Sequence, residues 1–317
     1  MHAQETSPSP QAGIQATTEM VKIDVSVLDR RGQFVGGLVK DAFKVLDDNV
    51  EQPIVFFAPV EAPAQVLVML ETSPAVYLIR GEHLTAAYAL LDGLAPDDEV
   101  ALVSYSQAPQ AILPFTPEKQ ALAAALGQIQ YTLGMGDLNF YDSLSTVLDW
   151  IAPLHGKKAV VALTTGLDSS PPERWDALVQ KLRADDAVIF SVALGGSLRQ
   201  PAKKKKSSKP ARSPADLVES ANPVGFEKAD AALRELAKVT GGRAYFPQAS
   251  NDFVPIYQEI ASALRHQYVL GIAPQHDGKF HSLAVELPSS NGQASARTAK
   301  HAEYQVFSRE GYLAPTR

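Results

Sequence analysis

The chain has 317 residues, 45% of them hydrophobic, with a formal charge of −6 and no cysteine. It is long enough to bury a large core in one big domain or two modest ones, and its acidic balance argues against a nucleic-acid partner. The lack of cysteine removes disulfides, thiol catalysis and zinc–thiolate sites. No apolar run approaches the roughly 20 residues that a membrane-spanning helix needs, so no membrane span is predicted.

Residues 1–18 are rich in Pro, Ser, Gln and Thr and predict a disordered tail. Met1-His2-Ala3-Gln4 resembles what a small-residue cleavage site leaves behind, from which a secreted or periplasmic location is expected. Val21, Ile23, Val25 and Val27 alternate with polar residues, predicting a strand with one dry face, and Phe34-Val35 is expected to pair back on it after the turn at Asp29–Gly32. A single helical turn is expected at 38–43, followed by strands on either side of the polar turn Asp48-Asn49.

From Val66 the texture changes to strands alternating with helices, which predicts a mainly parallel sheet covered on both faces. Val66–Leu70 is five consecutive apolar residues ending at Glu71, the pattern of a strand buried mid-sheet, so Glu71-Thr72-Ser73 falls at its carboxyl end, where open parallel sheets place a ligand crevice. Helix 82–94, strand 100–105, a short antiparallel strand at 111–113 and a helix with Thr116 as N-cap and Pro117 behind it are expected next. After turn-formers at Gly134, Gly136 and Asn139 come helix 141–152, the buried strand 158–163 ending at Thr164-Thr165, helix 172–184 and strand 187–194. Trp150 and Trp175 sit beside apolar neighbours and are expected to pack.

Residues 196–225, with Lys203–Lys206 and several prolines, read as a mobile, solvated loop. Helix 228–239 should stop at Gly241-Gly242, with a short strand at 243–246 and Asn251 capping helix 253–265. Three further strands are expected at 267–272, 280–287 and 304–307. Neither chain end can form a covered sheet alone. The predicted organisation is a β appendage from 20–60 plus 266–313 and an α/β domain from 64–265.

In this order, Asp41-Ala42-Phe43-Lys44-Val45-Leu46-Asp47, Leu94–Tyr105, Gln267-Tyr268-Val269-Leu270-Gly271 and Ser308-Arg309-Glu310-Gly311-Tyr312 resemble a von Willebrand factor type A (VWA) domain, and more narrowly the acidobacterial VWFA-related group. The resemblance implies a Rossmann-like, doubly wound sheet with a β-sandwich-like appendage, and a non-enzymatic role in holding a protein partner. Such domains commonly bind a divalent cation through Asp-x-Ser-x-Ser, a threonine in a second loop and an aspartate in a third. The matching positions here are Glu71, Ser73, Ala75, Leu138 and Thr165, of which Ser73 alone keeps the family residue. So few charged oxygens do not suit a hard cation, which takes about six oxygen ligands. The expectation is a degenerate metal-ion-dependent adhesion site with no cofactor, the alternative being Mg²⁺ or Mn²⁺ held with help from Asp137 or Asp168.

No phosphate-binding loop, nucleophile elbow or metalloprotease motif is present, and Ser73 has only His83 or His155 as candidate bases, so no enzyme is expected. A protein-contact rim of Glu71, Ser73, Tyr77, Leu138, Phe140, Thr165 and Asp168 is predicted, with a protein partner whose identity the sequence does not give and an oligomeric state it does not fix. The other reading of the same residues is a loop packed down on the sheet.

Overall fold

The computed structural model describes residues 20–77, 79–132, 137–199, 223–288 and 304–316. The predicted tail, most of the 196–225 loop, and Gly134 and Gly136 lie outside the described residues. In chain order the elements are β1 (Val21–Asp29), β2 (Lys44–Asp47), β3 (Val50–Gln52), β4 (Phe56–Glu61), β5 (Ala64–Glu71), α1 (Pro74–Tyr77), α2 (Arg80–Gly93), β6 (Glu99–Tyr105), β7 (Pro109–Thr116), α3 (Lys119–Gly127) and α4 (Phe140–Ile151). They continue with β8 (Lys157–Thr164), α5 (Pro172–Ala184), β9 (Val188–Ala193), α6 (Gly196–Arg199), α7 (Pro223–Thr240), β10 (Arg243–Tyr245), α8 (Phe253–Arg265), β11 (His266–Ile272), β12 (Phe280–Glu286), β13 (Tyr304–Phe307) and β14 (Gly311–Leu313).

The central sheet runs β10-β9-β8-β5-β6-β7, with β7 its antiparallel edge. β5 lies between β6 and β8, parallel to both. Its apolar run has a simple cause: Val66, Val68 and Leu70 pack on one face against α2, α3 and α8, while Leu67 and Met69 pack on the other against α4, α5 and α7. A strand with two dry faces tolerates no alternation. The fold is therefore a doubly wound, mainly parallel α/β sheet, and the winding changes direction at β5, so the carboxyl ends of β5 and β8 bring Glu71 and Thr164-Thr165 together. Asp98, 5% exposed, closes the opposite end of β5 by accepting the Ala64 and Ala95 amides. Among the described residues no helix is long and apolar enough to cross a membrane.

Both ends of the chain build two four-stranded sheets, β13-β1-β11-β4 and β14-β12-β2-β3. They face each other across Ile23, Val25 and Val27 from β1, Tyr268 and Leu270 from β11, Val45, Leu283 and Tyr312. Asp48 and Asn49 take positive φ in the tight turn between β2 and β3, as a two-residue hairpin demands. β14 is a strand beyond the three expected at this end, and Phe34 makes a single bridge to Leu28 rather than a full hairpin strand. The other face of β1 is only partly solvated: Lys22 is exposed, but Ser26 and Leu28 are buried beside residues of the α/β unit.

Local differences have local causes. Thr116 stays in β7 and its Oγ1 accepts the Glu118 amide, so α3 starts at Lys119 rather than Pro117. Asn251 lies inside a 3-10 turn, and it is the Asp252 carboxylate that accepts the Gln248 and Ala249 amides. α7 does end at Gly241, whose φ is +75°, and a Cβ on Gly242 would lie 2.0 Å from the Ile189 carbonyl. Trp175 packs on Tyr141 with ring centroids 5.0 Å apart. Trp150 does not pack as expected: it is 44% exposed on the outer side of α4.

Lys157, at the start of β8, has a buried Nζ with no hydrogen-bond partner among the described residues. Burial pushes its pKa down to about 8, with Asp24 and Asp98 opposing the shift. A folded-state value below the unfolded one means that the charged form penalises folding fully below about pH 8 and that the penalty fades toward the unfolded value. Lys157→Met is expected to raise stability by about 2–3 kcal/mol at neutral pH. Urea unfolding of the two proteins should show this gap closing as pH rises from 8 towards 10.5.

Candidate functional site

Glu71 ends β5 with 0% exposure, and a carboxylate there demands partners. The neighbouring strands supply them. Ser73 Oγ donates to Oε1 at 2.5 Å, and the Thr165 amide donates to Oε2 at 2.6 Å. The Thr165 hydroxyl straddles both oxygens at 3.0 and 2.9 Å. Tyr105 OH and Thr164 Oγ1, 2.6 Å apart, lie 3.2 and 3.1 Å from Oε2. A carboxylate offers about four lone-pair positions. Ser73, the two donors of Thr165 and one hydroxyl of the Tyr105–Thr164 pair fill them. Burial and the Glu71 charge hold the Tyr105 phenol well above its ordinary pKa, so it remains a proton donor.

A second tier holds this cluster. Arg199, from α6, donates to the Thr165 carbonyl and to the Leu194 carbonyl, pairs with Asp230 of α7 and stacks on Phe226 at 4.8 Å. Burial lowers the Arg199 pKa to about 10, with the Glu71 charge acting against the shift, so the guanidinium stays cationic. Asp168 accepts the Tyr141 amide at 2.9 Å and the Ser170 amide at 2.6 Å, tying the loop after β8 to the start of α4. Across the same junction the Ser169 amide donates to the Leu138 carbonyl, and the Leu138 amide donates to the Ser169 hydroxyl.

These positions correct the predicted contact rim. Glu71, Ser73, Phe140 and Thr165 are 0–3% exposed and cannot touch a partner in this arrangement. Phe140 packs inward on Tyr105, with ring centroids 5.7 Å apart. Tyr77, Leu138 and Asp168 are half-buried. Tyr77 lies edge-on to Tyr131, and Arg80 covers its ring at 4.7 Å. Ala75 falls in α1, while Asp137 is exposed and makes no hydrogen bond to the Glu71 cluster. Ser73 gives its hydroxyl to Glu71 rather than to a base, and His155 is exposed. For a hard cation the fit is poor: the one buried carboxylate of the cluster is ringed by donors, and the other oxygens are hydroxyls already engaged with it.

No family model matches this sequence, and no curated protein matches it. Among solved structures, the chain is similar to an aerotolerance-related membrane protein from Bacteroides fragilis at 18% identity and a TM-score of 0.45, over 63% of this chain and 98% of that one. It is similar to BatB from Bacteroides thetaiotaomicron at 16% identity and a TM-score of 0.42, over 64% and 98% of the two chains. A von Willebrand factor type A protein from Catenulispora acidiphila aligns over 95% of this chain and 64% of its own, at 11% identity and a TM-score of 0.46. At such identities and scores these likenesses assign no role to any residue here.

Tyr105, Thr164, Arg199 and Asp230 were not among the predicted site residues. Tyr105 had a readable signal, because a phenol closing a buried strand needs a polar partner, and register places it directly beside Glu71. Arg199 had none, since it lies where the sequence texture turns to Lys, Pro and Ser.

Proposed function

We propose that this protein is a non-enzymatic protein-interaction module of the VWA type that engages its partner without a bridging metal ion. The observation that carries the reading is the Glu71 carboxylate, whose lone-pair positions are taken by Ser73, Thr165 and the Tyr105–Thr164 pair at 2.5–3.2 Å. The resemblance of the ordered motifs supports the module type, and the internal satisfaction of Glu71 supports recognition by shape and apolar contact. Tyr77 and Leu138, half-buried beside the closed crevice, are the side chains still placed to contribute.

Calorimetric titration with Mg²⁺ and with Mn²⁺ tests the metal-free reading. No saturable heat is expected through the low-millimolar range, and a saturable isotherm abolished by Glu71→Ala would establish the metal-dependent alternative. The burial of Glu71, Ser73, Phe140 and Thr165 favours a second reading, in which the crevice only braces the loops and partners dock on the β appendage. The double variant Tyr77→Asp with Leu138→Asp separates the two, since it should abolish partner capture if the rim is the contact and leave it intact if the appendage is.

A further inference from the structure

The outward face of β1 leaves solvent part-way along the strand: Lys22 is exposed, Asp24 half-buried, and Ser26 and Leu28 buried. Asp24, Ser26 and Leu28 line a cavity of about 290 Å³ at the junction of the appendage with the α/β unit, completed by residues that include Asp185, Arg243, Glu259 and Arg309. Its volume is that of a small-molecule site, and unit junctions are where such sites concentrate. Ser26 is 5% exposed, yet its Oγ has no hydrogen-bond partner among the described residues. A buried hydroxyl in that state costs free energy unless something in the cavity meets it.

The charges around the cavity sort themselves. Lys22 pairs with Asp24, Arg243 with Glu259, and Asp186 with Lys158. Of the charged residues that line the cavity, Arg309 and Asp185 are left without an ion pair among the described residues. Arg309 donates through Nη2 to the carbonyls of Arg183 and Asp185, while its Nε is buried and without a partner among the described residues. Asp185 accepts the Ala187 amide through Oδ1 and makes no ion pair among the described residues. Arg309 and Asp185 both line the cavity, and no ion pair joins them among the described residues.

We propose that this cavity is a binding site for a small zwitterion, a free α-amino acid, whose carboxylate is received by Arg309 Nε and Ser26 Oγ and whose ammonium is received by Asp185. A guanidinium edge with a hydroxyl beside it is a fitting receptor for a carboxylate. Phosphate or a dicarboxylate would bring net negative charge beside Asp24, Asp185, Asp186 and Glu259, whereas a zwitterion adds none. Leu28, Val188 and Phe190 leave an apolar wall for a short side chain. An occupant there would touch both the appendage and the α/β unit and so fasten one to the other.

The test is thermal-shift and calorimetric titration of the whole protein with the individual L-amino acids, with acetate, ethylammonium and inorganic phosphate as partial mimics. At least one amino acid is expected to bind saturably and raise the melting temperature, with the mimics inert. Ser26→Ala is expected to weaken binding about tenfold, and Asp185→Asn to weaken it similarly while leaving the fold intact. Arg309→Gln should abolish binding, and should it fail to fold, Ser26→Leu, which fills the cavity, should abolish it instead. The proposal is overturned if no amino acid binds, if phosphate binds better, or if Ser26→Ala and Asp185→Asn bind as the parent does.

Discussion

Glu71→Ala is expected to destabilise the protein by about 3–5 kcal/mol, because it removes the acceptor from a buried set of donors and leaves them unpaired. The Ser73 and Thr165 hydroxyls and the Thr165 amide all point at the lost carboxylate, and the Tyr105–Thr164 pair loses its outlet. Glu71→Gln keeps the size but turns an amide NH₂ toward groups that are themselves donors, so about half or more of the same loss is expected. Urea denaturation checks both: the midpoints should fall while the slopes stay near that of the parent. A rim residue facing solvent would show neither effect, since surface substitutions stay within about 0.5 kcal/mol.

Arg199→Met is expected to cost a similar amount, about 3–5 kcal/mol, for a different reason. The methionine keeps some contact with Phe226, but Asp230 becomes a largely buried carboxylate without its cation, and the Thr165 and Leu194 carbonyls lose their donor. Arg199→Lys restores a charge but not the fork that reaches Asp230 and two carbonyls at once, so only partial recovery is expected. Combining Arg199→Met with Asp230→Met removes the stranded charge. The double variant should be more stable than Arg199→Met alone, and a double-mutant cycle by urea denaturation measures the coupling.

The α/β layer was legible because its signals are local. Five apolar residues from Val66 to Leu70 have one home, the middle of a sheet covered on both sides, and the helix–strand alternation after them follows from the same requirement. The crevice position was legible too, since strand ends in such sheets meet where the winding reverses. What the crevice does with its carboxylate was not legible. Whether Glu71 faces water or donors depends on side chains separated from it by 34 and 94 residues, and no pattern along the chain encodes that meeting. The same limit hid the second face of β1. Alternating polar residues look alike in sequence whether they border solvent, as Lys22 does, or a cavity inside the molecule, as Ser26 does.

The way the two chain ends interlace constrains how the molecule can come into being. β1 pairs with β11, where Val21 meets Ile272, and with β13, where Ser26 meets Phe307. β1 therefore has no partner along either edge until β11 and β13, which lie more than 200 residues later in the sequence, are in place. Bringing such distant segments together is slow unless something shortens the path, and the intervening α/β layer does so once folded, because it leaves the end of α8 beside the link between β4 and β5, where the Ala62 amide donates to the Arg265 carbonyl. Assembly is thus ordered from the middle outward, and a fragment carrying only one end inherits half of a sandwich that the other half must complete.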